Sequence, residues 1–413
     1  MMAGRRRAGL LLGTSGLGSA IAWPVRGLAQ VAAAGPAIAP AGVRRGRRLA
    51  FPRDHGAHPD TRLEWWYLTG WLAAAGSTAP THGFQVTFFR SRTAFARAAE
   101  GAGPAPGRFV PNHLLLAHAA LTDLTSGRHH HAQRIGRWNG EPAAGPDRAA
   151  LHDAAVHLAG WQLARGDTDV AAAPGETGAK AASAGSSGLL TVWTTRVRAE
   201  GFALAGSLRA AQPLLLQGDA GFSRKGPGES QASHYYSWPQ LHAELTLELH
   251  GQRVAATGRG WLDHEWSDTL MHPHAVGWDW IGINLADGSA LTAFHLRRAD
   301  GSALWAGGSH RTPAAAGPGV ARIFEAGEVR FEPGRRWRSP ATHAAYPVDW
   351  QVHTPVGRFG VRALLDGQEL AGRPGSGAVY WEGLAELLDA GDGRRIGLGY
   401  LEMTGYAAPL KLS

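Results

Sequence analysis

The chain has 413 residues, of which 44% are hydrophobic and 18% are charged, a balance typical of folded proteins rather than of disordered or coiled-coil chains. This length exceeds what one hydrophobic core usually serves, so we expect more than one domain. The net charge is +8, but no basic stripe interleaved with aromatic residues occurs, which argues against nucleic-acid binding. Cysteine is absent, which excludes thiol catalysis, disulfides and thiolate metal sites.

The N-terminus is predicted to be an export signal over residues 1–30. Arg5–Arg7 provides a positive start, a weakly apolar stretch follows, and small residues offer a cleavage site. The arginines also permit a twin-arginine route, so we expect a periplasmic or secreted protein. Residues 31–48 are interpreted as a linker. Its basic end, Arg44–Arg48, is compatible with peripheral contact to an anionic membrane, although a solvated linker is the simpler interpretation.

Beyond residue 50, apolar and polar residues alternate with period two, which is typical of strands with one buried face. The clearest predicted strands are 64–72, 83–90, 114–122, 129–135, 243–249, 253–263, 278–285, 290–298, 379–387 and 396–406. The pair Asp287-Gly288 is a strong signal for a tight hairpin. No long helical pattern competes, so the sequence predicts an all-β fold of sandwich or antiparallel barrel domains, whose interior can hold one ligand.

A cluster of Gly, Lys, Ser and Pro at 223–233 precedes a new series of strands and suggests a domain boundary. We therefore predict an N-terminal barrel over 49–228 and a C-terminal barrel over 229–413. Within the first, 165–190 is rich in Ala, Gly, Ser and Thr and is predicted to be a flexible insertion.

The two predicted halves share a weak internal sequence similarity. An aromatic strand opens with Glu64-Trp65-Trp66, and the strand after it ends in Arg90. Another opens with Trp278-Asp279-Trp280, and its partner ends in Arg297-Arg298. The two pairs are compatible with two barrels of similar build, although chance similarity among Trp-rich strands explains them as well.

The densest group of chemically active residues is the segment 260–268, where three carboxylates and a histidine lie among tryptophans. On a strand, Trp261, Asp263 and Glu265 share one face and His264 lies on the other. A carboxyl group beside apolar rings loses hydration, so its pKa rises and it can donate a proton to an alkene or a leaving group. Tryptophan faces could stabilise a resulting carbocation. The alternative, a structural polar cluster at a strand end, stays open on the residues alone.

Upstream lies a polar-aromatic segment, 234–239. Its residues His234 and Tyr236 could converge with Trp261 and Asp263 if the intervening hairpin folds back. We regard these four residues as the candidate catalytic group.

Other kinds of site are disfavoured. The potential ligands Glu265, Asp268, His272 and His274 lack the second histidine of the helical zinc motif, so no metal site is predicted. The run His129–His131 follows a turn and is interpreted as a surface tract. No Gly-x-Ser-x-Gly elbow and no phosphate-binding loop occur, so neither an α/β-hydrolase nor a nucleotide cofactor is expected.

Several segments resemble the AttH-like family, which is related to carotenoid 1,2-hydratase. They are FPRDHGAHP at 51–59, EWWYLTG at 64–70, WLDHEW at 261–266, GWDW at 277–280, YWEG at 380–383 and GYLEMTGY at 399–406. These segments follow the family order over nearly the whole chain after the signal. The resemblance implies two lipocalin-like antiparallel β-barrels, an apolar small-molecule ligand, and cofactor-independent addition of water to an isoprenoid double bond.

The resemblance also implies roles for particular residues. In the hydratases the acid is an aspartate in a motif like that around Asp263, supported by a histidine and two aromatic residues. By position these fall on His234, Tyr236 and Trp261. The candidate substrate-binding residues are Trp278, Trp280, His264, Glu265 and Tyr235. A hydratase-like enzyme, a non-enzymatic carrier of a lipid or isoprenoid, and a structural attachment protein all remain open.

Overall fold

The computed structural model describes residues 42–93, 111–140, 145–169, 189–269, 271–313, 319–371 and 379–410. The described chain is built almost entirely of β-strands, and one turn of 3₁₀-helix occupies Arg53–His55. This confirms the all-β prediction. The predicted export signal and the first part of the linker lie outside the described residues. Among the helices that the structure describes, none is long and apolar enough to cross a membrane.

The first sheet holds thirteen antiparallel strands in the described ranges. In chain order β1 to β13 are Leu63–Ala74, His82–Arg92, His113–Asp123, Arg128–Trp138, Arg148–Ala149, Ala155–Leu158, Trp161–Asp169, Leu189–Arg198, Phe202–Arg209, Leu215–Leu216, Phe222–Arg224, Ala232–Leu249 and Gln252–Ser267. Their order in space is β4-β3-β2-β1-β13-β12-β9-β8-β7-β6-β5, with β10 and β11 beside β12. Strand β6 also contacts β3 and β4, so the sheet curls into a nearly closed barrel.

The second sheet holds ten of the remaining described strands and curls into a half-barrel. In chain order β14 to β25 are Gly277–Leu285, Ala290–Arg297, Ala303–Arg311, Ala321–Phe324, Arg330–Pro333, Arg336–Arg338, Ala345–Pro347, Asp349–Thr354, Gly357–Ala363, Glu369–Leu370, Tyr380–Asp389 and Arg395–Thr404. Their order in space is β17-β16-β15-β14-β25-β24-β22-β21-β18, with β23 beside β24, while β19 and β20 form a separate pair.

The division between the sheets differs from the predicted boundary at 228/229. Strands β12 and β13 pair with β9 and β1, so they lie in the middle of the first sheet. The division therefore falls between Ser267 and Gly277. The turn-rich segment at 223–233 is only a loop inside the first barrel, because local composition marks turns and carries no information on which distant strands pair. Residues 165–169 of the predicted insertion belong to β7, and 170–188 lie outside the described residues.

Each sheet encloses an ion pair together with its apolar core. In the first barrel Glu64 lies 2.8 Å from the Arg90 Nε, and in the second Asp279 lies 2.7 Å from the Arg297 Nε. Both pairs join the opening strand of a sheet to its hairpin neighbour. The internal sequence similarity thus corresponds to a buried carboxylate–arginine pair that occurs once in each sheet.

A third apolar cluster lies between the two sheets and uses residues from both. Tyr67 and Trp261 come from the first sheet, and Trp280, Phe294 and Leu384 come from the second. These side chains point away from the barrel interiors, because successive residues of a strand alternate between its faces. The outer faces of the two sheets therefore pack against each other, and this contact positions the candidate site.

Candidate active site between the two sheets

A cavity of about 380 Å³ opens between the packed sheets. Its wall is mostly apolar and aromatic, with a few carboxyl groups. Among the residues that line it are Tyr235, Asp263, Glu265, Trp278, Trp280, Glu382 and Glu402. A cleft of this size with few convergent polar groups is the usual form of a small-molecule site.

Asp263 lies in the wall formed by β13 and is only 4% exposed. Its carboxyl group accepts hydrogen bonds from the Tyr235 hydroxyl at 2.7 Å and from the Trp261 Nε1 at 2.8 Å. Burial raises the pKa of Asp263 to about 7, while hydrogen bonds from Ser237, Tyr235 and Trp261 oppose the shift. Near neutral pH much of this group is therefore protonated and able to act as an acid.

Aromatic rings surround this acid. The Trp280 Nε1 donates to the Tyr235 hydroxyl at 3.3 Å, which links the second sheet to the hydrogen bonds of Asp263. The rings of Trp261 and Trp280 meet edge to face with centroids 6.3 Å apart, and Tyr67 meets Trp280 in the same way at 5.3 Å. Such faces attract positive charge, so a cation formed beside Asp263 would be stabilised.

Glu265 lies two residues further along the same face of β13, and it forms an ion pair with Lys225. The Lys225 Nζ is 3.0 Å from its Oε1, and both side chains are buried. The ammonium also lies over the rings of Tyr235 and Phe294, at 4.7 and 4.3 Å from their centroids. Lys225 follows β11 in a loop, where no sequence pattern indicates that it faces a cavity.

Glu382 and Glu402 form a pair of carboxyl groups for which the sequence predicts no role. They lie directly opposite each other on β24 and β25. Burial and then the charge of Glu402 raise the pKa of Glu382 well above its usual range. Burial also raises the pKa of Glu402, to about 8, although a hydrogen bond with Trp278 opposes the shift. A carboxylate inside an otherwise apolar strand was the available signal, because unpaired acids are seldom buried.

Three of the predicted site residues lie on the opposite face of the same strands. Tyr236 pairs with His264 across β12 and β13, and both point into the first barrel, as does His234. The Tyr236 hydroxyl bonds the Nδ1 of His55 at 2.7 Å and the Nδ1 of His264 at 3.2 Å. The expected convergence of His234 and Tyr236 with Asp263 therefore does not occur, because neighbouring residues alternate between faces. It is Tyr235 that bonds Asp263.

The interior histidines belong to a network around Glu64. Its carboxylate accepts hydrogen bonds from the His58 Nδ1 at 2.7 Å, the His264 Nε2 at 3.0 Å and the Arg90 Nε at 2.8 Å. Burial opposes ionisation of Glu64, but Arg90 and His58 outweigh it and hold its pKa well below its usual range. This network fixes the entry of the chain into the first barrel.

One group of residues in the described ranges has the geometry to hold a metal ion. The ligand atoms of His58, Glu64 and His264 lie within 4.8 Å of one another. However, Glu64 already has its charge compensated by Arg90 and both of its oxygens bonded by donors. These residues are therefore arranged as an ion-paired carboxylate with its hydrogen-bond donors, and not as a set of metal ligands. Asp268, His272 and His274, considered from the sequence, do not join any such group in this part of the chain.

The basic run at the end of the linker is partly neutralised within the chain. Arg45 lies 2.5 Å from Asp219 and 2.7 Å from Glu229, and Arg47 lies 3.0 Å from Asp54. These pairs hold the run against the first barrel.

The fold and the cavity define a two-sheet β-protein with an apolar cavity between the sheets. The family model described as AttH-like matches residues 42–406, so the chain belongs to the AttH-like family. The crystal structure of an AttH protein from Nitrosomonas europaea is 40% identical, has a TM-score of 0.74, and is aligned over 89% of this chain and 99% of its own. Kievitone hydratase from Nectria haematococca shares the fold at 14% identity and a TM-score of 0.57, over 89% and 98% of the two chains. Among curated proteins, no sequence matches this chain.

Proposed function

We propose that this protein binds an apolar, isoprenoid-type molecule between its two sheets and adds water to a carbon–carbon double bond, with Asp263 as the general acid. One observation carries the proposal. Asp263 lines an apolar cavity, and burial raises its pKa to about 7, so it can both hold and release a proton near neutral pH.

The proposed reaction needs no cofactor. The Asp263 carboxyl group transfers its proton to one alkene carbon, and the electron pair of the double bond forms the new C–H bond. The adjacent carbon becomes a tertiary cation, which the rings of Trp278 and Trp280 in the cavity wall stabilise. Water then forms the C–O bond, and the proton that it loses returns to the Asp263 carboxylate. Tyr235 holds the carboxyl group in position.

Two further features support the proposal. A hydratase shares the fold, although at 14% identity this likeness concerns the fold alone. The AttH-like family membership extends over both sheets that form the cavity. We also propose that the protein is exported, on the basis of the signal-like residues 1–30.

The test uses the full chain and a lipid extract of its host in water enriched in oxygen-18. We expect mass spectrometry to find a product heavier than one extract component by one labelled water. Asp263→Asn should abolish this product, while Asp300→Asn, in an exposed turn, should leave it unchanged. Equal product from the Asp263→Asn variant would refute the acid role. A ligand that binds unaltered in every variant would identify a carrier instead.

A further inference from the structure

The carboxyl groups of the cavity wall differ in how their charge is compensated. Glu265 has the Lys225 ammonium at 3.0 Å. Glu382 and Glu402 are opposite each other on neighbouring strands, and neither forms an ion pair with a basic side chain in the described ranges. Two carboxyl groups so close cannot both ionise readily without a cation beside them. The pair therefore lacks the partner that Glu265 possesses.

The hydrogen bonds of this carboxyl pair are also incomplete. Glu382 is 1% exposed, and its Oε2 accepts from the Gln85 Nε2 at 2.7 Å. Its Oε1 is buried, and the Tyr67 hydroxyl is the donor beside it, but the contact between the two does not reach hydrogen-bond geometry. Glu402 keeps part of its surface exposed to the cavity. A buried oxygen whose neighbouring donor is poorly placed is costly, so this wall favours a ligand that donates a hydrogen bond to it.

The cavity already holds one ammonium group, which indicates the kind of hydrogen-bond donor that suits its walls. Elsewhere in the cavity, the Lys225 ammonium lies beside the Glu265 carboxylate and over the rings of Tyr235 and Phe294. The wall with Glu382 and Glu402 offers the same elements, namely carboxyl groups and the indole of Trp278, but no ammonium. Carboxylates beside aromatic faces bind alkylammonium groups by combined ionic and cation–π attraction.

We propose that Glu382 and Glu402 form a cation-binding subsite, which takes the protonated amine of an otherwise apolar ligand. The inference rests on the proposed function only in using the same cavity, and it requires no proton transfer from Asp263.

Binding of an ammonium group should release a proton. Without a ligand, burial raises the pKa of Glu402 to about 8. The charges of Asp263, Glu265 and Asp279 add to the shift, Asp279 from the other face of the second sheet, and Glu382 lies directly across from Glu402. The ammonium favours the carboxylate, so binding displaces a proton. Affinity for an alkylamine should therefore rise as pH increases towards about 8.

The test is calorimetry of the full chain with decylamine, decanol and decanoate, which share one chain length and differ in charge. We expect decylamine to bind at least about tenfold more tightly than decanol, the ratio expected for one charge-assisted hydrogen bond. Titration in two buffers of different ionisation enthalpy should show proton release. Glu402→Gln should reduce the preference to less than about threefold, whereas Glu248→Gln, on the surface of β12, should leave it unchanged.

Three results would overturn the subsite. They are equal affinity for decylamine and decanol, an unchanged preference in Glu402→Gln, and no binding of decylamine at all. The Asp263→Asn variant separates this inference from the hydration chemistry, because it should keep the amine preference while losing turnover. Intact turnover in a wild type that shows no amine preference would refute the subsite alone.

Discussion

Replacing Asp263 with asparagine should abolish turnover and at the same time remove a pH-dependent cost to folding. The carboxyl group has a pKa of about 7 in the folded protein and 3.8 as its ordinary value. Between these values the folded protein keeps a proton that the unfolded chain has lost. Stability therefore falls as pH rises through this window, and the loss ends once pH passes the folded pKa.

The magnitude follows from the width of that window. From about pH 5 to about pH 7 the cost is roughly 3 kcal/mol, since each pH unit contributes about 1.4 kcal/mol. Asparagine does not ionise, so the variant avoids this cost. The free energy of unfolding of Asp263→Asn minus that of the wild type should therefore be roughly 3 kcal/mol larger at about pH 8 than at about pH 5. Urea unfolding of both proteins at the two pH values measures this difference. Misplaced hydrogen bonds of the new amide cost the same free energy at both pH values, so this cost cancels from the comparison. An unchanged difference would refute the account of a buried acid with a raised pKa.

Three further predictions concern the same site and its support. Turnover should fall as pH rises through about 7, because the active form of Asp263 is protonated, and a pH profile of kcat/KM that rises instead would contradict this role. Tyr235→Phe removes a hydrogen bond that favours the Asp263 carboxylate, so the falling limb should move to higher pH, while Tyr236→Phe on the opposite face should not move it. Glu64→Gln leaves the buried Arg90 without its partner and should cost about 3–5 kcal/mol of stability by urea unfolding, and a loss below about 1 kcal/mol would argue against a structural network.

The strands of this protein could be predicted from the sequence because their alternation is strong. The hairpin β14–β15 follows from Asp287-Gly288 between two apolar runs, and the facing of Trp261, Asp263 and Glu265 follows from period two. These are local properties. By contrast, the pairing of β1 with β13 joins residues far apart in the chain, and turn composition at 223–233 could not reveal it.

The candidate site was only partly predictable for the same reason. Asp263 stood out because a carboxylate lies between tryptophans, and Tyr235, Trp278 and Trp280 do reach the cavity. Placing Tyr236 beside Asp263 required the register of β12 on β13, which sets Tyr236 against His264. The acids on β24 and β25 enter the site only because the outer faces of two sheets meet, and a pattern within one strand does not show that contact.

The most direct test of the central claim compares what the wild type and Asp263→Asn retain when each is purified from the native host. Mass spectrometry of the extracted ligands should find an apolar alkene in the asparagine variant. The wild type should hold that alkene together with a species heavier by one water. The same unaltered ligand in both proteins would contradict hydration by Asp263 and would leave a carrier of that ligand.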